Sequence, residues 1–216
     1  PSSLLVLVRC VSETVIELDD FLERAATKED KNLLPKMSEQ KELPVIQAGL
    51  DRGRELFVKR SRDPETMAKF EASLLDNTKS GWSRLGAFDS KERSHVLDLF
   101  GFQMQWILPT FAFHQVAHVD SLEVLEAGAR SLNSAMGKFC ASDERLKAIG
   151  YILLSLGPKI FIELMMKGFD DACYTFMLDT TEPNPNNKTF THPDFCRLYT
   201  FPSLQTQIGH HFQIFA

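Results

Sequence analysis

From residue 86 onward the chain alternates short apolar runs with amphipathic stretches of helical spacing, and this rhythm restricts the fold more than any other feature. Asp89 can cap a helix reaching Phe100, with Val96, Leu97 and Phe100 on one side, and Gly101 follows where a helix end takes a positive φ. Residues 104–111 then read as an apolar strand. Asp120 or Ser121 caps a long helix through Cys140, and 146–154 is a second run with little polar alternation, as expected of a strand covered on both faces. Pro158 opens a helix over 159–167 that Gly168 closes, and 171–178 is a further strand. After a turn-rich loop over 179–189, Pro193 begins another helix, and 210–216 supplies a last strand. Short strands alternating with helices imply parallel βαβ units with right-handed crossovers. With an apolar run at 4–10 included, about five parallel strands are expected, in half of an eight-stranded barrel or in a small doubly wound sheet.

The chain before residue 86 has a different texture. Residues 13–26 place Val15, Leu18, Phe21, Leu22 and Ala25 at helical spacing, and 27–48 reads as an irregular connection broken by Pro35 and Pro44. Residues 50–57 and 64–75 are helical again, the latter opening with Asp63 as N-cap and Pro64 at the first helical position. The expected organisation is therefore one α/β domain over 1–216 with a helical insertion at 13–80 after the first strand.

At 44% hydrophobic and 25% charged residues, the composition suits a folded core rather than a disordered chain. A net charge of -5 argues against a nucleic-acid footprint, and no run is long enough to span a bilayer. The four cysteines are scattered without a CxxC pair, which suits a reducing cytoplasm better than a zinc ribbon or a disulfide framework. No G-x-S-x-G elbow, P-loop or GxGxxG follows a strand, which removes the usual serine-hydrolase and nucleotide readings.

A set of motifs narrows the reading: Gly86-Ala87-Phe88-Asp89 with Glu92-Arg93, Leu97-Asp98-Leu99-Phe100-Gly101-Phe102, Pro109-Thr110-Phe111, Asn133 before Phe139-Cys140, Arg145-Leu146, Gly150-Tyr151 and Thr191-His192-Pro193-Asp194-Phe195. In order and spacing they resemble the amidohydrolase-related family, which includes aminocarboxymuconate-semialdehyde decarboxylase, over residues 81–200. The resemblance implies a metal-dependent (β/α)8 TIM barrel whose members hydrolyse or decarboxylate small carboxylated substrates. The chain would then be part of such a barrel, incomplete at its carboxyl end, because the family's later ligand-bearing strands have no counterpart before Ala216. A half-barrel would expose strand edges and favour self-association. The alternative is a catalytically silent homologue or fragment acting in binding or assembly.

The working residues of such barrels sit at the carboxyl ends of the strands. The family's first strand ends in alternating metal ligands, and the segment here offers Val6 and Val8, which bind no cation, and Cys10 where a histidine is expected. Cys10 could hold zinc as a thiolate or be an ordinary small buried hydrophobe. For the family's fifth strand, one register places Gln213 at the ligand position and a small shift places His211 there. His114 and His118, spaced i,i+4 beyond the strand at 104–111, suit substrate contact, loop packing or a two-histidine metal pair. Asp179 at a strand end and His192 are further substrate-contact candidates, each with a loop-fixing role as the simpler use. A divalent ion, zinc before others, is the cofactor the resemblance implies.

Overall fold

Four strands pair side by side in chain order, all parallel: β1 (Arg9–Thr14), β2 (Met104–Pro109), β3 (Leu146–Ile152) and β4 (Cys173–Leu178). The computed structural model describes residues 9–14, 27–39, 44–74, 83–109, 112–178, 186 and 192–196, with backbone alone at 9–14, 37–39, 44–46 and 196. Parallel neighbours require a crossover between each pair, and helices supply it. Between β1 and β2 come α1 (Lys28–Leu33), a 3-10 segment (Leu34–Glu39), α2 (Pro44–Arg62), α3 (Pro64–Ala72) and α4 (Ser90–Phe100). Between β2 and β3 come α5 (Ala112–Ala117) and α6 (Leu122–Cys140). A 3-10 turn (Leu154–Leu156) and α7 (Gly157–Asp170) join β3 to β4, and α8 (Pro193–Cys196) follows. The protein is thus mixed α/β. Among the described strands the order never reverses, so the switch point that defines a doubly wound sheet is absent from them. The strand expected at 210–216 lies outside the described residues.

The helix ends follow local chemistry. The carboxylate of Asp63 accepts the N–H groups of Glu65 and Thr66, Asp89 accepts from Glu92, and Ser121 from Val124, each relieving an orphan donor of a first turn. Gly101 closes α4 at φ 68. At three places the structure departs from the sequence reading. The first strand occupies Arg9–Thr14, so Glu13 and Thr14 belong to it and not to a helix; pairing with Met104–Pro109 outweighs the polar content of Arg9, Ser12 and Glu13. Residues 4 to 8 of the expected run and most of the helix expected at 13–26 lie outside the described residues. The region expected to be irregular at 27–48 is largely helical, because Pro44 is the first residue of α2, where its missing N–H costs nothing, and Pro35 sits in the 3-10 segment. Gly168 does not end its helix: α7 runs on to Asp170, and the left-handed residue of the turn is Ala172, at φ 69.

The core lies between the sheet and its helices. α6 and α7 lie side by side on one face, both packed on β3 and β4. α6 is buried nearly all round, because α1, the 3-10 segment and α5 cover the flank that the sheet does not. Ile107, Leu125, Leu132, Ala148 and Tyr151 are fully or almost fully buried, each such side chain contributing about 1.5–3 kcal/mol where it is large. On the other face Trp106 meets Tyr174 edge-on at 5.2 Å, with the Lys147 ammonium 5.3 Å from the same ring. β4 accommodates this through one extra residue: Ala148 pairs with Cys173 but Ile149 with Thr175, leaving Tyr174 as the bulge.

Pairing between β2 and β3 covers only Gln105–Ile107 against Leu146–Ala148, while β3 continues against β4 to Ile152. Past Ala148 the peptide groups of β3 that face β2 need other partners. Asn133 of α6 provides them: its Nδ2 donates to the Tyr151 carbonyl at 3.1 Å and its Oδ1 accepts the Tyr151 N–H at 2.7 Å. Gly150 leaves room for this, since a Cβ there would stand 2.9 Å from Asn133 Oδ1 and 2.6 Å from the Phe176 ring. The same ring explains Gly168, whose added Cβ would stand 2.5 Å from Phe176 Cε1. Gly168→Ala should therefore lower stability by about 1–3 kcal/mol through overpacking, against a helix propensity that favours alanine by about 1 kcal/mol. Urea unfolding checks it, and a stabilised variant would contradict the packing.

Candidate functional site at the carboxyl edge of the sheet

The strands of a parallel sheet all end on one edge, and the segments that leave β2 and β3 there carry most of the polar groups with chemical potential. α5 follows β2 after a short connection, with His114 and His118 exposed on it. The helical turn reaches His118, whose N–H bonds the His114 carbonyl at 3.2 Å. His118 Nδ1 lies 2.8 Å from that same oxygen. A carbonyl only accepts, so Nδ1 carries a proton and donates it to this contact. The two imidazole centroids are 6.1 Å apart. Phe113 ties this turn to the end of β3, its ring 4.0 Å from His114 and 5.6 Å from Tyr151.

The β3–α7 junction is the second element of the edge. Leu156 precedes α7 without any side-chain cap, no acid stands in the first turn, Gly157 donates to Leu154, and Pro158 has no N–H. The Lys159 N–H is left as the first-turn donor, with the positive end of the helix dipole behind it. Ser155, in the turn that delivers the chain to α7, is 7% exposed, and its Oγ has no hydrogen-bond partner among the described residues, as is also true of the buried Ser131 and Tyr151 hydroxyls. Buried hydroxyls are nearly always satisfied, and of these three Ser155 is the one that adjoins a helix amino terminus.

Elsewhere the buried charges are engaged internally. Arg60, wholly buried, donates to Glu92 Oε1 at 2.5 Å and Oε2 at 2.8 Å, and to the carbonyls of Ser83 and Arg84, both at 3.0 Å. Glu92 also accepts the Gly86 N–H at 2.6 Å, and the Phe70 ring lies 4.9 Å from the guanidinium. Gly86 is held at φ 74 against Arg93, which donates to its carbonyl at 2.7 Å. Asp30 is buried and takes a bidentate bond from Arg130, which raises the guanidinium further above its ordinary range. These pairs fasten the helices that follow β1 to α4 and α6. Burial pushes the Cys140 thiol up to about 12 and raises Cys173 as well, so neither offers a thiolate near neutral pH.

The other sequence candidates fall in different places. Cys10 is the second residue of β1, in register with Gln105 and four positions before the strand's carboxyl end at Thr14. His192 precedes α8, where its Nδ1 accepts the Asp194 N–H at 3.2 Å and its carbonyl the Phe195 N–H at 2.8 Å. Phe195 is fully buried against Phe161, so this histidine shapes a turn anchored to α7. Asp179, His211 and Gln213 lie outside the described residues. Of the candidates, the structure brings His114 and His118 together. Ser155 escaped the sequence reading; the Gly-Pro pair after a strand was its one signal. Among the described residues no group of three or more His, Cys, Asp or Glu is placed to hold a metal ion, and no helix is long and apolar enough to cross a membrane. The chain finds no significant match among protein-family models, curated proteins or solved structures.

The amino edge of the sheet is held by charge instead. Arg145, just before β3, bonds Asp143 at 2.7 Å and reaches Asp98 of α4 at 2.8 Å. The Arg145 guanidinium outweighs burial and holds the Asp143 carboxyl at about 2, below the usual 3.8. A carboxyl depressed on folding stabilises the fold above its unfolded pKa and loses that contribution as pH falls through the folded one. The stability difference between the protein and Asp143→Asn should thus stay constant from pH 7 to about 4 and vanish towards about 2. Chemical unfolding of both across that range checks it; a difference independent of pH would contradict the assignment.

Proposed function

We propose that the carboxyl edge of this sheet binds a small carboxylated molecule, in a (β/α)8 barrel of the amidohydrolase-related type to which these four strands belong. The observation that carries the reading is the β3–α7 junction, where a helix amino terminus without a side-chain cap adjoins the Ser155 hydroxyl, which has no hydrogen-bond partner among the described residues. A carboxylate suits both: the helix end favours negative charge, and a hydroxyl donates a charge-assisted bond. Exposed Lys159 in the same first turn, 3.9 Å from Glu163, adds a cation. The consecutive parallel order of the strands supports the barrel, since barrel strands follow one another around the axis, and the family resemblance adds hydrolysis or decarboxylation as the reaction. A second reading, binding without turnover, is supported by the internal engagement of Arg60, Glu92 and Asp30, whose charges serve to hold helices together.

Ser155→Ala separates a ligand-binding hydroxyl from a structural one. Losing an unpaired buried hydroxyl should leave stability unchanged or slightly raised, whereas losing a bond to a bound carboxylate should weaken binding about 10-fold or more. Calorimetry with a series of small mono- and dicarboxylates, with and without zinc or manganese, measures the second effect beside thermal unfolding for the first. Destabilisation without any change in binding, or no carboxylate binding at all, would overturn the proposal.

A further inference from the structure

The paired histidines of α5 support an inference that does not rest on the barrel reading. We infer that His114 and His118 form a two-imidazole chelate for a borderline divalent cation of the copper, nickel and zinc group, with water completing its shell. The spacing places both rings on one side of a helical turn, because residues four apart are neighbours on a helix surface. Both side chains are exposed, so an ion reaches them without opening the core. Each imidazole nitrogen sits about 2.1 Å from such an ion, so rings sharing one have centroids no more than about 6.5 Å apart. The observed 6.1 Å falls inside that limit, and rotation about the side-chain bonds shortens it.

The tautomer favours the same outcome. A ligating histidine usually donates its second ring N–H to a carbonyl or carboxylate, which orients the ring and makes the ligating nitrogen more basic. His118 has this arrangement, with Nδ1–H directed at the His114 carbonyl. The carbonyl belongs to the other histidine of the pair, so one turn of backbone supplies both ligands and the group that orients one of them. Phe113 fixes the turn from below through its contact with Tyr151. Two imidazole ligands suit ions that accept nitrogen donors, and affinity should follow the order in which copper(II) exceeds nickel(II) and zinc(II). Magnesium and calcium, which require oxygen donors, should not bind.

Titration of the whole chain with copper(II), followed by calorimetry and electron paramagnetic resonance, tests the inference. One ion per chain with a two-nitrogen signature is expected, weakened about 10-fold or more by either His114→Ala or His118→Ala, the scale on which even a residue that only orients a ligand acts. Moving the second imidazole by one residue, in His118→Ala/Ala117→His, should also lose the site, since it breaks the four-residue spacing. The double variant His210→Ala/His211→Ala, which removes the adjacent histidine pair in the sequence, should keep it. Absence of tight binding, unchanged binding in the His114 and His118 variants, or loss only in the His210/His211 variant would overturn the inference.

Discussion

A strand buried between neighbours must satisfy every peptide group, and past Ala148 the side of β3 turned towards β2 does so at Tyr151 through the carboxamide of Asn133. The side chain presents one donor and one acceptor in the geometry of a peptide unit, so it stands in for a neighbouring strand. This frees β2 from following β3 to its end. β2 instead leaves through Pro109 into α5, and the Phe113 ring settles against Tyr151. An unsatisfied buried peptide group costs about 1–3 kcal/mol, and two would be exposed to that cost here, so the opening between the strands depends on this one residue.

Around that opening the protein divides its polar chemistry. Arg60 with Glu92, Asp30 with Arg130, and Arg145 with Asp143 and Asp98 hold elements together, and their hydrogen-bonding capacity is turned inward. Such pairs fix relative positions more than they add stability, because desolvation offsets much of their attraction. Cys140 and Cys173, with thiols raised by burial, act as small apolar groups where α6 meets β4. Ser155, the first turn of α7 and the exposed histidines His114 and His118 lie in the segments that leave β2 and β3.

How much of this was legible in the sequence depended on the range of the interaction responsible. Asp63, Asp89 and Gly101 act within a turn of their own position, and the helix ends they mark match the structure. Parallel α/β character followed from the alternation of apolar runs and helices. Gly168 was misread because a glycine near a helix end and a glycine under a distant aromatic ring look alike in sequence; only the approach of Phe176 distinguishes them. The carboxyl end of the first strand was set too early because its partner, not its own composition, carries the pairing on to Thr14. The i,i+4 spacing made the His114–His118 pair visible. The vacant bonding capacity of Ser155 was not, since whether a hydroxyl is satisfied depends on everything packed around it.

The central claim, that Asn133 completes β3 where β2 departs, is tested most directly by native-state hydrogen exchange at the Tyr151 amide in the protein and in Asn133→Ala. The account predicts protection in the unsubstituted protein comparable to that of the paired β3 amides, with a selective loss at Tyr151 in the variant. Rapid exchange at Tyr151 in the unsubstituted protein, or undiminished protection in the variant, would contradict it.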